Sequence, residues 1–237
     1  MMGSEHRTLG PVVGTSVALP PSLDTTLSGR YVTVVGMTTE HIAPLYPHVS
    51  GDENAHAWDY MFDGPFHELA DFQAIIEAEI DSPDLVVYAI ISAEQPRTPS
   101  GAHNIIGCAS YNYSDTRNRH VEVGVLMAPA LQRTPATTEA MYLMARHAFE
   151  DLGYRRYEWK CDTLNASSHR AALRLGFSFE GVFRQHMIIK GRNRDTAWFS
   201  MLDGEWPAIK EAFERWLDPL NFDGHGVQRR KLEDFRR

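Results

Sequence analysis

The most constraining feature of this sequence is a run of three strand-like segments followed by a long helical segment and a further strand. Val, Ile and Tyr dominate residues 85–92, 105–113 and 120–127, and such stretches predict strands. A proline-containing loop and a short polar turn separate them, which favours antiparallel hairpins. The helical pattern of 135–152 and the strand of 156–162 instead predict a parallel crossover. The two kinds of connection together require a mixed sheet.

The other segments extend the same plan. They are a strand over 30–35, helical stretches over 39–45 and through Trp58 and Tyr60, a helix over 68–80, a short helix over 168–175 ended by Gly176, a hairpin of 177–189 with 195–202, and a tail helix over 206–217. This order predicts an α/β (α+β) fold with a single mixed, mostly antiparallel central sheet of about seven strands flanked by helices.

Composition and length set the domain organisation. The 237 residues, 43% hydrophobic and 23% charged, are typical of a globular protein. Residues 1–28 mix Gly, Pro, Ser and Thr without a period and predict a flexible N-terminal arm. We expect one domain over 29–204, followed by a C-terminal helix and tail over 205–237 that packs on this domain or extends it.

The same composition excludes several environments and partners. No run of about 18 apolar residues occurs, and the N-terminus lacks a basic segment followed by an apolar one, so we expect a cytoplasmic protein without a membrane partner. The net charge of −8 argues against binding to nucleic acid and suits a cationic substrate. The two cysteines, Cys108 and Cys161, lie in apolar runs and are expected to be buried thiols.

Several catalytic motifs are absent from the sequence. It has no glycine-rich dinucleotide or P-loop motif, no H-E-x-x-H, no paired C-x-x-C and no G-x-S-x-G. The 11 histidines are scattered, so no metal site is expected. What remains is a strand that ends at Met127, a turn, and a helix that begins near Pro135. A helix N-terminus presents unpaired N–H groups and attracts phosphate.

A set of short motifs then resembles one family. In chain order they are Val121-Glu122-Val123-Gly124, Thr138-Glu139-Ala140, Asn165 with Ser168, Leu175-Gly176-Phe177, Glu180-Gly181 and Gly191-Arg192-Asn193-Arg194-Asp195. Their order and separations over residues 30–202 resemble the GNAT acyltransferase superfamily, and in particular its branch similar to ribosomal-protein alanine N-acetyltransferases. The resemblance implies acetyl-CoA as co-substrate.

The resemblance also implies a cofactor site between two strands that splay apart. Val125, Leu126 and Met127 would border the pantetheine, and Asn165 and Ser168 would face the thioester. The pyrophosphate would lie over the turn that comprises Gln132, Arg133, Thr134, Pro135, Ala136, Thr137 and Thr138. This turn departs from the family pattern, because Arg133 and Pro135 stand where glycine is common and proline has no N–H to donate. Arg133 and the three threonine hydroxyls are expected to replace the lost contacts.

Amine acylation makes a general base the main catalytic requirement. An alkylamine with a pKa near 10.4 is neutral in only about one molecule in two thousand at pH 7. Glu122 is the candidate base, directly or through water, and the alternative is a structural carboxylate paired with Arg119 or a sheet neighbour. In the similar branch a catalytic glutamate stands where this chain has Met187, and a regular strand would turn His186 to the opposite face. Ser168 is the candidate for protonating the CoA thiolate, and the alternative is a polar residue of the first helical turn.

The acceptor is less defined by the sequence. Tyr111, Tyr113 and Asp162 are candidate substrate contacts, and packed aromatics or a loop carboxylate are the alternatives. We expect an acetyl-CoA-dependent N-acetyltransferase that acts on a primary amine of a small molecule or peptide N-terminus. The alternative is a non-catalytic GNAT-like protein that binds acyl-CoA or a partner. Neither the amine nor the oligomeric state follows from the sequence.

Overall fold

An eight-stranded sheet forms the centre of the molecule. The computed structural model describes residues 9–94, 97–98, 101, 103–129, 132 and 134–236. The strands are β1 (Thr26–Ser28), β2 (Val32–Gly36), β3 (Leu85–Ser92), β4 (Ile105–Asp115), β5 (His120–Met127), β6 (Arg156–Asp162), β7 (Ser178–Ile189) and β8 (Arg192–Leu202). They are ordered β1-β2-β3-β4-β5-β6-β8-β7, and each neighbouring pair is antiparallel except β5 and β6. The predicted fold class is confirmed.

Helices cover both faces of this sheet. They are α1 (Ile42–Val49), α2 (Leu69–Ile80), α3 (Pro135–Arg146), α4 (Ala166–Leu175) and α5 (Trp206–Leu217), with 3-10 turns at Thr39–His41, Asp52–Trp58, Pro219–Asn221 and Leu232–Phe235. The first two helices pack with one apolar cluster, and the other three with a second, larger one. The predicted helix over 135–152 is α3 extended by a π-helical turn, His147–Asp151. None of these helices is both long and apolar enough to cross a membrane.

Part of the predicted flexible arm is built into the sheet. Residues Thr26–Ser28 pair with β2, which makes eight strands instead of about seven. Upstream, the Ala18 N–H donates to the Thr116 carbonyl at 2.8 Å, and Ala18 and Leu27 are buried in the larger cluster. The segment is too short and polar to show a strand pattern, and its conformation depends on the partner strand rather than on its own sequence.

A buried carboxylate fixes the β1–β2 turn to α3. Glu139 is 5% exposed, and its side chain accepts the N–H groups of Arg30, Tyr31 and Val32 at 2.9, 2.6 and 3.0 Å. Gly29 precedes them, and a Cβ there would come within 2.3 Å of the Glu139 Oε2 atom. A side chain at position 29 would therefore displace the Glu139 carboxylate from the turn, and Glu139 of the Thr-Glu-Ala motif is a structural residue.

Candidate active site

Strands β5 and β6 separate partway along their length. Their parallel ladder comprises three pairs, and the last is Glu122 with Glu158. Beyond it, β5 stays paired with β4 to Met127, and β6 stays paired with β8 to Asp162. The two facing edges therefore diverge from a common point while each strand stays fixed by its other neighbour. Backbone N–H and C=O groups without a ladder partner are strong hydrogen-bonding groups for a ligand.

The three residues expected to border the pantetheine lie on the diverging part of β5. Val125 is half-buried against the larger cluster, Leu126 is buried in the cluster around α1 and α2, and Met127 is buried in the larger one. Their side chains alternate between the two faces, as in any strand. Their backbone is what faces the gap, so a contact with a ligand here would involve peptide groups.

The turn before α3 is capped from within the chain. Thr134 has extended backbone and is the N-cap, and its Oγ1 accepts the Thr137 N–H at 3.5 Å. Pro135 is the first helical residue, where its fixed φ suits the helix. Ala136 is half-buried, Gln132 is exposed, and Arg133 lies outside the described residues. The helix start thus has the expected position, but the Thr134 cap already accepts one of its N–H groups.

Thr138 does not have a free hydroxyl. It is buried, its Oγ1 donates to the Thr134 carbonyl at 3.4 Å, and it accepts from Nη1 of Arg174 at 3.1 Å. The Arg174 guanidinium also lies 4.9 Å from the centre of the Trp216 ring, and burial lowers its pKa. The structure therefore adds a cationic residue beside the first turns of α3. The sequence offers little signal for it, because Arg174 is separated from the turn by 36 residues.

Asn165 and Ser168 form the start of α4, next to the end of β6. The Asn165 side chain accepts the Ser168 N–H at 3.0 Å, which makes Asn165 the N-cap. The Ser168 hydroxyl accepts the Trp159 Nε1–H at 2.9 Å. It also interacts with Cys161. Burial raises the pKa of this thiol, and the hydrogen bond from the Ser168 hydroxyl opposes that rise. Because the indole supplies a donor, the Ser168 proton points away from Trp159, and the Cys161 sulfur is one acceptor within its reach.

Glu122 belongs to a chain of charges on the face of the sheet that α1 and α2 cover. Its Oε2 accepts from Nζ of Lys160 at 2.7 Å, and the same Nζ lies 3.6 Å from Glu158 and 4.0 Å from the centre of the Trp198 ring. Burial raises the pKa of Glu122, and Lys160 opposes that rise. The partner is a residue of the neighbouring strand and not Arg119.

The chain of charges continues across the sheet. Arg156 donates to Glu158 at 2.6 Å and to both oxygens of Glu180 at 2.7 and 2.6 Å. Ser200 donates to the same Glu180 carboxylate at 2.6 Å. Hydrogen bonds from Arg156, with help from Ser200, lower the pKa of Glu180 to about 2. Glu180 of the Glu-Gly motif thus stabilises the sheet behind Glu122.

The structure does not bring the two tyrosines to this face. Tyr111 is fully buried on the opposite face, where its hydroxyl donates to the Met144 carbonyl at 2.6 Å. Tyr113 is 62% exposed at a bulge of β4, with a φ of +48°. Neither position supports the expected substrate contact, because the first ring is a core side chain and the second points to solvent.

Asp162 is a turn-forming residue. Its Oδ1 accepts the Leu164 N–H at 2.8 Å, and its carbonyl accepts the Asn165 N–H at 2.9 Å. This geometry is an Asx turn, which directs the chain from β6 into α4. The carboxylate is buried and hydrogen-bonded locally, so we do not retain it as the site for a cationic substrate.

The β7–β8 hairpin closes over the same face as Glu122. Nζ of Lys190 donates to the Trp58 carbonyl at 2.8 Å, and the Arg194 guanidinium lies 5.2 Å from the centre of the Phe62 ring. The segments around Trp58–Phe66 and Lys190–Arg194 thereby meet. They form a wall on the face of the sheet that carries Glu122.

The prediction for His186 is wrong, because β7 is not regular. A register shift lies between Phe183 and Met187, and Gln185 has a φ of +50°. The bulge turns His186 onto the face it shares with Glu122, where its Nδ1 lies 2.9 Å from Oγ1 of Thr196. Bulges re-aim side chains in this way, and nothing in the local sequence marked this one.

The sequence matches a known family model. Residues 32–178 match the acetyltransferase (GNAT) domain, which is more than half of the chain. The E. coli (strain K12) ribosomal-protein-serine acetyltransferase is 30% identical over 81 residues, or 34% of this chain and 45% of that protein. The chain spans about half the length of the curated relatives it matches.

Solved structures match over a longer region. A GCN5-related N-acetyltransferase from Brucella melitensis is 39% identical, with a TM-score of 0.86 over 93% of this chain and 97% of that one. A structure from Chromobacterium violaceum ATCC 12472, described as a probable acetyltransferase of the GNAT family, is 33% identical, with a TM-score of 0.77 over 87% of this chain and all of that one. These matches confirm the resemblance found in the sequence. The protein belongs to the GNAT family of acetyltransferases.

Proposed function

We propose that this protein is an acetyl-CoA-dependent N-acetyltransferase that acts on a primary amine by direct attack in a ternary complex. The observation that carries the proposal is the divergence of β5 and β6 directly after Glu122, with Ser168 at the far end of β6. The two candidate catalytic side chains thus flank one gap. The residues there fit the cofactor, because β5 offers backbone groups and Arg174 adds a cation near the start of α3.

Acetyl-CoA supplies the thioester carbonyl, and the chain supplies the proton transfers. In the proposed reaction Glu122, directly or through water, takes one proton from the ammonium group, so that the neutral nitrogen attacks the thioester carbonyl. The C–N bond then forms as the C–S bond breaks, and the second proton that the nitrogen loses goes to the departing thiolate, which leaves as CoA thiol. The deprotonation deficit of an alkylamine at pH 7 is about 4–5 kcal/mol. Burial raises the pKa of Glu122, which makes it a stronger base, and Lys160 opposes that rise.

Ser168 acts at the leaving group. Its hydroxyl already accepts a hydrogen bond from Trp159, so its own proton is oriented away from the indole. We assign it to hydrogen bonding with the departing thiolate sulfur, which needs less help than the amine because a thiol has a pKa near 8.5. Asn165 fixes the backbone of Ser168 and is a positioning residue.

A non-catalytic, acyl-CoA-binding protein is the second candidate. The ion pair between Glu122 and Lys160, and methionine at position 187, favour it, because both leave fewer free carboxylates near the gap. Turnover separates the two candidates. The enzyme releases free thiol from acetyl-CoA when an amine is present, whereas the binding protein does not.

The test begins with titration calorimetry of acetyl-CoA into the full chain. We expect micromolar binding that weakens on the order of tenfold in Arg174→Met, since one phosphate contact from arginine has about that value. Arg170→Met is the matched control, because Arg170 is an exposed arginine of the same helix. Thiol release is then measured with a panel of amines. Absence of binding in the folded wild-type protein would refute the proposal.

A further inference from the structure

Arg194 is a buried cation without a carboxylate partner among the described residues. It is 7% exposed. Its guanidinium donates from Nε to Oγ1 of Thr196 at 3.2 Å and stacks near Phe62, with 5.2 Å from Cζ to the ring centre. Arginine remains charged in proteins, and a buried charge is costly unless an opposite charge or strong acceptors compensate it. One neutral hydroxyl and one ring leave both Nη groups without a hydrogen-bond partner among the described residues, and neither Nη atom is fully buried, so both are open to a ligand.

The other cations of this face differ from Arg194. Lys160 pairs with Glu122 and Glu158, and Arg156 pairs with Glu158 and Glu180. The three carboxylates of the charge chain are therefore already used by those two cations. Arg194 brings this set to three negative and three positive charges, but its guanidinium forms no ion pair with any of the three carboxylates.

Arg194 also lies close to the point where β5 and β6 diverge. Thr196 pairs with Asp162 at the end of β6, and Arg194 lies two residues further along β8 on the same face. In keeping with this position, its charge acts to lower the pKa of Glu122. Its ladder partner across the hairpin is Met187, a neutral side chain that is 37% exposed, so the strand opposite brings no carboxylate to the guanidinium.

We propose that Arg194 is an anion-binding subsite for the acceptor, which is a small amine that also carries a carboxylate or a phosphate. This inference rests on the proposed acetyl transfer and narrows its substrate class. A planar guanidinium binds either anion through paired hydrogen bonds. Amines without an acidic group, and peptide N-termini with a distant carboxylate, leave the Arg194 guanidinium without a direct anionic partner.

The test compares acceptors that differ in one charge. The first pair is alanine and alaninamide, and the second is O-phosphoethanolamine and ethanolamine, so the two arms distinguish a carboxylate from a phosphate. One of the two pairs should contain the anion that the protein recognises. For the charged member of that pair, we expect kcat/KM in Arg194→Met to fall on the order of tenfold to a hundredfold, mainly through a rise in KM. The value for its neutral partner should change less than about twofold.

Two further variants exclude a general loss of structure. Met187→Glu places a carboxylate opposite the intact Arg194 and should reduce use of the charged acceptor as strongly as Arg194→Met does. Met187→Gln, its neutral counterpart, should not. Arg184→Met, at an exposed arginine of the same hairpin, is the control for net charge. Acetyl-CoA affinity should stay at the wild-type value in each variant, and Tm should not fall below it.

A binding assay keeps this inference separate from the proposed chemistry. N-acetylalanine and N-acetylalaninamide, and N-acetyl-O-phosphoethanolamine and N-acetylethanolamine, are titrated into wild type and Arg194→Met. The subsite is supported if Arg194→Met binds one of the two acidic compounds more weakly than wild type does and binds its neutral counterpart equally well. This holds even if no thiol is released. Equal losses for charged and neutral compounds, or no effect of Arg194→Met on any of them, would overturn the subsite while acetyl transfer to other amines could still stand.

Discussion

Nζ of Lys160, two residues beyond the last pair that β5 and β6 share, lies 2.7 Å from Oε2 of Glu122. The candidate base is thus an ion-paired carboxylate in a buried position. Two opposing effects determine its pKa, since burial raises it and the ammonium group lowers it. The pair therefore offers a direct way to change the base without replacing it.

Replacing Lys160 should move the pH dependence of the reaction. In Lys160→Met the opposing charge is lost, so the pKa of Glu122 rises further above its ordinary value. The base form then disappears at a higher pH as the solution is acidified, and we expect the acid limb of the kcat/KM profile to shift upward. Rates of thiol release between pH 5 and 9 measure this. An acid limb at the same or a lower pH would contradict Glu122 as the base.

Removing the Ser168 hydroxyl should slow turnover without affecting cofactor binding. In Ser168→Ala we expect kcat to fall by roughly tenfold to a hundredfold, because the thiolate then leaves without a hydrogen bond. Acetyl-CoA affinity measured by calorimetry should stay within about twofold. The effect should shrink with a thioester whose thiol is more acidic. If kcat falls equally with both thioesters, Ser168 has only a structural role at the start of α4.

Loss of the Glu139 carboxylate should destabilise the fold. Glu139→Ala leaves the N–H groups of Arg30, Tyr31 and Val32 without their acceptor. Hydrogen bonds to a charged group contribute about 1.5–3 kcal/mol each, so we expect the free energy of unfolding to fall by about 3 kcal/mol or more. Urea unfolding measures the change. Glu211→Ala, at an exposed position of α5, should change stability by less than about 0.5 kcal/mol.

Glu79 gives the stability a pH dependence. Burial, and to a lesser extent the charge of Asp63, raises the pKa of Glu79 from 4.5 to about 7. A carboxyl with a raised folded-state pKa contributes stability that is present below its unfolded pKa and is lost as pH rises through the folded value. Wild type should therefore lose up to about 3 kcal/mol between pH 4.5 and 8 through this group, since one pKa unit corresponds to about 1.36 kcal/mol.

Glu79→Gln removes this dependence. The variant should be more stable than wild type at pH 8 and closer to it at pH 5, as measured by urea unfolding at both values. Glu77→Gln, in the same helix, is the control. The same difference from wild type at both pH values would show that Glu79 does not titrate in this range.

Much of the fold follows from local sequence patterns. The strand β6 and the helix α5 have the predicted bounds, because the apolar residues of each repeat regularly along its whole length and a clear stop signal follows its end. Gly176 ends α4 with a φ of +105°, which is the left-handed conformation that its position predicted. The gap between β5 and β6 follows from the family resemblance instead, since no periodicity marks where two strands diverge.

The site follows less from the sequence, because it depends on register. The partner of Glu122 could not be predicted, since pairing with Lys160 requires knowing which residues of two distant strands lie opposite each other. The position of His186 was predicted wrongly because one bulge reverses the alternation of side chains. In the sequence, Tyr111 was equally compatible with a substrate pocket and with the core. In the structure its ring lies in the core, where its hydroxyl donates to the Met144 carbonyl.

The single parallel pairing in the described sheet has a consequence for how the chain folds. Strands β1 to β5 form one meander in which each strand neighbours the next, and β6 to β8 form a second, compact group. The gap between β5 and β6 therefore lies on the seam between two locally connected halves. Opening the sheet at this seam interrupts no hairpin, and pairing across it requires the chain to cross over through α3 before the two halves can meet.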